Sequence, residues 1–392
     1  MLDCIIVGAG PAGAIAGLVL ARAGARVRLI DRTSFPRDKL CGDTVNPGTL
    51  ALLARLGVAA PVEQRGLPVA GMRITGAHGI AVDATYPPPL CGRAIVRREL
   101  DWLLLERAIA AGCELEAPAT VRAALVDGTR REARVVGVRL ASHELRAGVT
   151  IAADGRRSSL AFDLGLARHP AQPRRWAVGA YVESSRHSHP AQPGAEWTGE
   201  MHIRAGRYIG IAPLPGGTTN ICLVKPSRPG DADLRDPGAL LRREIAADAQ
   251  LRDRFGDSRF VGPPVVLGPL AVDAGGGGID GLVLAGDAAG FVDPMTGDGL
   301  RFAVQGGELA ARAALEALEH GWRGVHARLA ARRREAFAGK HRFNRALRAL
   351  VDSPHAVVAA TASARVVPFV VRALVRRAGD CDLARLTGRP KD

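Results

Sequence analysis

The chain has 392 residues, 47% of them hydrophobic, which suffices for a full core, most simply two intertwined domains, and argues against disorder. Its formal net charge is +14, yet only four of the 53 basic residues are lysine and aromatics make up 4%, too few for a base-stacking platform, so a nucleic-acid module is disfavoured. No apolar run approaches the ~20 residues that cross a bilayer, no basic region precedes the first apolar run, and the six cysteines form no C-x-x-C pair. A cleaved leader, a disulfide framework and a metal cluster are therefore not expected, and a reducing cytoplasm fits. The positive charge leaves attraction to an anionic membrane surface at the inner membrane open.

Residues 4–7 form a short apolar run suited to a strand buried on both faces. Gly8, Gly10 and Gly13 follow with G-x-G-x-x-G spacing, with Pro11 and Ala12 in the same turn. Residues 14–23 are small and aliphatic, a helix to lie against the sheet, and 27–30 read as a second strand closing on Asp31 and Arg32. Gly8 allows the tight turn, Gly10 lets a pyrophosphate approach the backbone, and Gly13 lets helix and strand pack closely. Phosphates would sit at the positive end of the helix, and Asp31 stands where a carboxylate can accept both hydroxyls of an adenosine ribose. This fingerprint alone does not separate NAD from FAD.

A polar loop from Arg32 to Asp43 leads to a helix over 47–56, weak strand alternation over 72–84 and a helix over 97–112 with a glycine stop. Strand-like pieces at 119–126, 134–140 and 149–152 end at Ala153-Asp154-Gly155. Four further runs, 176–183, 196–203, 208–212 and 219–224, with turn-rich segments between them, the longest 187–194, suggest an antiparallel sheet of their own. Residues 236–255 read as one polar helix, 282–285 as a buried strand, 300–320 and the arginine-rich stretch to about 350 as helices, and 357–375 as an interrupted apolar segment.

Gly286-Asp287 at the end of that strand, and Gly297-Asp298-Gly299-Leu300 opening the next helix, gather an acid and several N–H groups at one point. An NAD dehydrogenase has no use for such a second element; FAD, with its ribityl arm, does. With Asp154-Gly155 between them, these elements resemble the flavoproteins of the para-hydroxybenzoate hydroxylase fold. That resemblance implies an α/β protein, a Rossmann-like FAD-binding domain (1–70, 97–165 and 270–330) interleaved with a substrate-binding antiparallel-sheet domain (71–96 and 166–269), then a helical segment (331–392).

Within that group the loop Pro36-Arg-Asp-Lys39-Leu-Cys41-Gly42 and the run from Gly286 to Leu300 are most similar to the geranylgeranyl reductase family. The resemblance implies that Arg97 approaches the flavin nucleotide and that Cys41 lies near the reactive edge of the isoalloxazine, where a thiol in apolar surroundings can donate a proton. Where family members carry Tyr-x-Trp-x-Phe-Pro, this chain reads Tyr208-Ile-Gly210-Ile-Ala212-Pro213: the tyrosine stays, as a second candidate catalytic residue, and the pocket should be wider. The Trp-x-Trp-x-Ile-Pro of tryptophan-type halogenases is absent, which disfavours halogenation. Ala161 stands where the hydroxylases usually carry an arginine, which weakens any carry-over of nicotinamide binding.

The leading expectation is an FAD-dependent reductase delivering hydride to a double bond of a hydrophobic, isoprenoid or polyketide-like substrate. An aromatic-ring hydroxylase using a C4a-hydroperoxide, and a flavoprotein passing electrons to a quinone, are the alternatives. With a single dinucleotide fingerprint, reducing equivalents would come from transiently bound NAD(P)H or a reduced electron-transfer protein.

Overall fold

The computed structural model describes residues 2–40, 43–76, 80–128, 133–171, 174–183, 197–227, 230–275, 277–353, 355 and 368–387. Cys41, Gly42, the turn at 187–194 and most of the apolar segment at 357–375 lie outside the described residues.

The first strand, Leu2–Val7, pairs in parallel with Val27–Ile30 on one side and Glu144–Ala152 on the other, and residues 4–7 are at most 5% exposed. Having both neighbours and both faces covered explains its unbroken apolar run. The eight-stranded sheet continues through Leu282–Leu284 and Gly278–Ile279 at one end and Glu114–Glu116 at the other, with Arg134–Leu140 and Val121–Asp127 added as an antiparallel extension. Helix Pro11–Arg22 lies on this sheet backbone to backbone. A Cβ on Gly13 would sit 1.8 Å from the carbonyl oxygen of Gly8. Helix Gly299–His320 presses on the same turn from the other side: a Cβ on Gly307 would sit 2.3 Å from the Ala12 oxygen. Small residues thus bring the two glycine-bearing elements, far apart in sequence, against each other.

The second sheet has seven strands in the order 259–267, 175–183, 218–226, 207–213, 198–204, 71–75, 81–85, antiparallel except where Thr198–Arg204 runs parallel to Gly71–Thr75. Because side chains alternate along a strand, Ile209, Ile221 and Leu223 bury one face under Leu240, Leu241, Ile245 and Phe255. Tyr208 and Val224 turn to the other face, with Leu270, Met295 and Val351.

Several elements differ from the sequence reading. The stretch 72–84 is a hairpin of two strands, Gly71–Thr75 and Ala81–Thr85. The single polar helix at 236–255 is two, Pro237–Ala247 and Ala249–Phe255, broken at Asp248, whose carboxylate caps the second by accepting from Gln250 N at 3.0 Å. Strand Arg259–Leu267 was not anticipated, since Pro263 and Pro264 lack ladder donors. It is tolerated because it is the edge strand, and its register slips where it pairs with Gly179–Tyr181. Beyond Gly299–His320 come helices Val325–Asp352, Pro368–Ala378 and Cys381–Thr387. Among the described residues no helix is long and apolar enough to cross a membrane.

Candidate active site

The glycine turn is fixed from three directions. Gly8 has φ +99°, a conformation that favours glycine, and a Cβ there would meet the Ala153 oxygen at 2.5 Å. Its N–H donates to the Ile30 oxygen at 2.7 Å. The next N–H, of Ala9, donates to Asp31 Oδ2 at 2.9 Å, while Thr33 donates through N–H and hydroxyl to Asp31 Oδ1 at 3.0 and 2.8 Å. Asp31 therefore fastens the turn to the end of the second strand and still lines the cavity, beside Arg32. Helix Pro11–Arg22 opens at Gly10 with no side-chain cap, so its first N–H groups face the cavity wall formed by Gly10, Pro11 and Ala12. Gly13 lies beneath that wall as a packing position.

A charged knot stands beside the turn. Asp101, fully buried, takes the Arg97 guanidinium through Nε and Nη2 at 2.7 and 3.0 Å and Arg37 at 3.2 Å. Lys39, half-buried, has its ammonium pushed down to about 8 by the positive Arg97 and by burial, with Asp287 and Asp101 pulling the other way. Asp154 accepts from Ser159 N at 3.1 Å, and burial raises its carboxyl above the usual range. Gly286, at φ +58°, passes over the first helix so closely that a Cβ would lie 2.8 Å from that of Ala12. Asp287 follows it into the wall. At Gly297 an added Cβ would meet nothing within 4 Å, and at Gly299 only Phe291 at 3.7 Å, so these glycines keep the cavity open ahead of the buried Leu300.

One continuous cavity of 1410 Å³ joins these groups to the second sheet. Its far half is apolar: Gly210, Ala212 and Cys222 from the sheet, Phe343 and Leu347 from helix Val325–Asp352, and Leu374 from helix Pro368–Ala378. A Cβ on Gly210 would have Met201 Cε at 3.8 Å as its nearest neighbour, so the room a larger ring would fill is open. Tyr208 puts its ring in the wall, while its hydroxyl donates to the buried Asp293 Oδ1 at 2.6 Å and its ring lies 5.4 Å from the Arg175 guanidinium. Burial and the Asp293 charge hold that phenol far above its ordinary value.

Sequence reasoning missed two groups. Asp43, 3% exposed and in the cavity wall, accepts from Arg97 N at 2.9 Å, the Tyr181 hydroxyl at 3.2 Å and Asn220 Nδ2 at 2.7 Å. Its place directly after Cys41-Gly42 was the one available signal; its sheet partners lie 138 and 177 residues away. Lys340, also buried, reaches Asp298 from below the Gly297–Gly299 turn, and nothing local marks it out among the arginines of its helix.

Residues 1–340 match the family described as FAD binding domain. The menaquinone reductase of Mycolicibacterium smegmatis is 33% identical over 330 residues, covering 79% of this chain and 75% of that protein. Digeranylgeranylglycerophospholipid reductase 2 of Methanopyrus kandleri is 31% identical, covering 81% and 78%. Among solved structures, a flavin-dependent brominase superposes with a TM-score of 0.81 over 97% of this chain and 94% of its own, at 18% identity, a likeness of fold alone.

Proposed function

The chain belongs to the FAD binding domain family, and from that premise we propose that it is an FAD-dependent oxidoreductase of the geranylgeranyl reductase type, which reduces a carbon–carbon double bond in a hydrophobic isoprenoid substrate. The observation that carries this reading is the continuous cavity that is polar and glycine-lined at one end and apolar at the other. Its polar end suits FAD. Gly10 presents no side chain to an approaching pyrophosphate, the uncapped helix start offers N–H donors, and Asp31 keeps acceptor capacity for ribose hydroxyls. We assign the ribityl and pyrophosphate end to Asp287, Gly286, Gly297, Gly299 and Leu300, with Arg97 and Asp154 flanking.

When bound and reduced, the flavin supplies the hydride. The chain's own share is to hold the cofactor, to strip water from the substrate between the second sheet and the C-terminal helices, and to deliver a proton. In this reading Cys41 borders the reacting side and Tyr208, tied to Asp293, shapes the wall. The electron donor is a transiently bound nicotinamide or a reduced electron-transfer protein.

Whether the isoprenoid carries a quinone or a glycerophospholipid head is a second-order choice. The M. smegmatis relative favours the quinone-bearing class. We further place the protein against an anionic lipid surface through helix Pro368–Ala378. Val371, Leu374 and Val375 on its inner side line the cavity, Val370 stands half-exposed at its rim, and Phe369 (66% exposed) and Arg372 face outward. A substrate could then pass from bilayer to cavity along one helix.

The reading is tested by reducing the purified yellow protein anaerobically and adding an isoprenoid quinone, a prenylated glycerophospholipid or an aromatic acid. Flavin reoxidation with one fewer substrate double bond supports it. Reoxidation that requires oxygen and an aromatic would move the protein to the hydroxylases.

A further inference from the structure

Asp43 stands where the cofactor half of the cavity meets the substrate half. The Arg97 N–H at the start of helix Arg97–Ala110 reaches it from one side, and Tyr181 and Asn220 from two neighbouring strands of the second sheet reach it from the other. These three donors are uncharged, while the Arg97 guanidinium is turned toward Asp101. A buried carboxyl held by neutral donors at a cavity wall is free to change its charge there, whereas one clamped in a bidentate ion pair is not.

Resting on the reductase reading above, we propose that Asp43 is the acid that completes the reduction. In the step, one carbon of the double bond would take the hydride that reduced flavin supplies when bound, and the other takes the proton of the Asp43 carboxyl. The O–H bond breaks as the new C–H bond forms, the two π electrons of the double bond go into that bond, and the carboxylate left behind regains a proton from water before the next turnover. The flavin, having given up the hydride, would be left oxidised.

The electrostatics suit this role. Burial lifts the carboxyl to about 6, against the opposing pull of the Arg97 charge, the Arg97 N–H and the Tyr181 hydroxyl, with Asp101 adding to the lift. Arg37, Asp38 and Lys39 on its own loop, Arg97 and Asp101 on the facing helix, and Asp287 beside Lys39 are the other charges of the cluster; the sheet side contributes Tyr181 and the non-titrating Asn220. The acid form is thus populated in weakly acidic solution, well above the ordinary carboxyl range, as a general acid requires.

The test uses the anaerobically reduced holoprotein. Asp43→Asn should retain FAD and its spectrum but slow substrate-dependent reoxidation by about a hundredfold or more, the usual range for a positioned general acid. Reoxidation by ferricyanide, which needs no proton transfer to carbon, should be unchanged. The wild-type rate should fall above about pH 6, a limb that survives Cys41→Ala and vanishes in Asp43→Asn. Tyr181→Phe removes a donor from the carboxylate, so the limb should move to higher pH. Independently of turnover, infrared titration should show a carboxyl signal in the wild type that is missing in Asp43→Asn. Should Asp43→Asn lose its flavin, the displaced limb in Tyr181→Phe decides the matter. A wild-type pH profile in either variant overturns the assignment. If the wild type itself is not reoxidised by any isoprenoid, the reductase reading fails and takes this proposal with it.

Discussion

Lys340 Nζ lies 2.9 Å from Asp298 Oδ1, with both side chains at most 3% exposed. The same ammonium donates to the carbonyl oxygens of Arg377 at 2.7 Å and Ala378 at 2.9 Å and stands 3.2 Å from Asp380. One cation therefore ties the residue ahead of helix Gly299–His320 to the end of the helix that covers the cavity. Lys340→Met leaves two buried carboxylates with one partner fewer, a change that costs about 3–5 kcal/mol. Arg301, 2.8 Å from Asp380, offsets part of it. Urea denaturation should show the loss, and FAD should bind more weakly because the Gly297–Gly299 turn loses its support. A variant with wild-type stability and flavin affinity would show that the knot is incidental.

Glu200 carries a second buried network. Burial pushes its carboxyl up, but Arg254, at 2.6 and 2.7 Å, and His202, at 2.9 Å, outweigh that and hold it at about 2. Its folded value lies below its unfolded one, so its contribution to stability is full above about pH 4.5 and disappears as pH falls toward 2. At roughly 1.4 kcal/mol per unit the contribution is about 3 kcal/mol. Glu200→Gln should therefore be destabilised relative to wild type at pH 7 and approach it in acid. Denaturation curves that stay equally far apart from pH 7 to pH 3 would rule this out.

The dinucleotide half was legible because its parts are local. Gly8, Gly10, Gly13 and Asp31 sit within one strand–helix–strand unit, and each has a reason that spacing alone can express. The antiparallel sheet was legible from alternation, except at Arg259–Leu267, where the prolines conceal an edge strand. Asp43 and Lys340 were not legible, because their roles come from partners that only tertiary packing supplies: Asn220 on a strand of the second sheet, and the carbonyls of residues 377 and 378. Gly307 belongs to the same class. Its need for a bare Cα exists only because Ala12 passes over it.

Helix Pro368–Ala378 gives the lipid-surface proposal a measurable form. Phe369 faces outward with Arg372 nearby, an apolar tip with a cation suited to anionic headgroups. The wild type should co-sediment with vesicles containing phosphatidylglycerol more than with pure phosphatidylcholine. Replacing Phe369 by serine forgoes burial of one large apolar side chain, worth about 1.5–3 kcal/mol when complete, without touching the cavity lining. Vesicle affinity should fall at least tenfold while a soluble short-chain substrate is still reduced. Equal binding by Phe369→Ser would remove this helix from the membrane contact.

The width of the apolar half is the feature that bears most directly on what the protein accepts. Gly210 sits in strand Arg207–Pro213 between Met201 and Cys222, and the space above it belongs to the cavity. A ring there would contact Met201 first and then project toward helix Val325–Asp352, where Phe343 and Leu347 form the opposite wall. Gly210→Trp fills that open room with a large ring. Since an aromatic side chain occupies 150–250 Å² of surface, it should narrow the passage without touching the glycine turn. The flavin spectrum and FAD affinity should be unchanged. Reoxidation by a ring-bearing or long-chain isoprenoid should weaken by about tenfold or more, chiefly through KM, whereas a short linear prenyl substrate should be reduced nearly as well as before. Such a split would show that the glycine sets the size limit of the substrate. If long and short substrates are slowed alike, or neither is slowed, the passage over Gly210 is not the route the substrate takes.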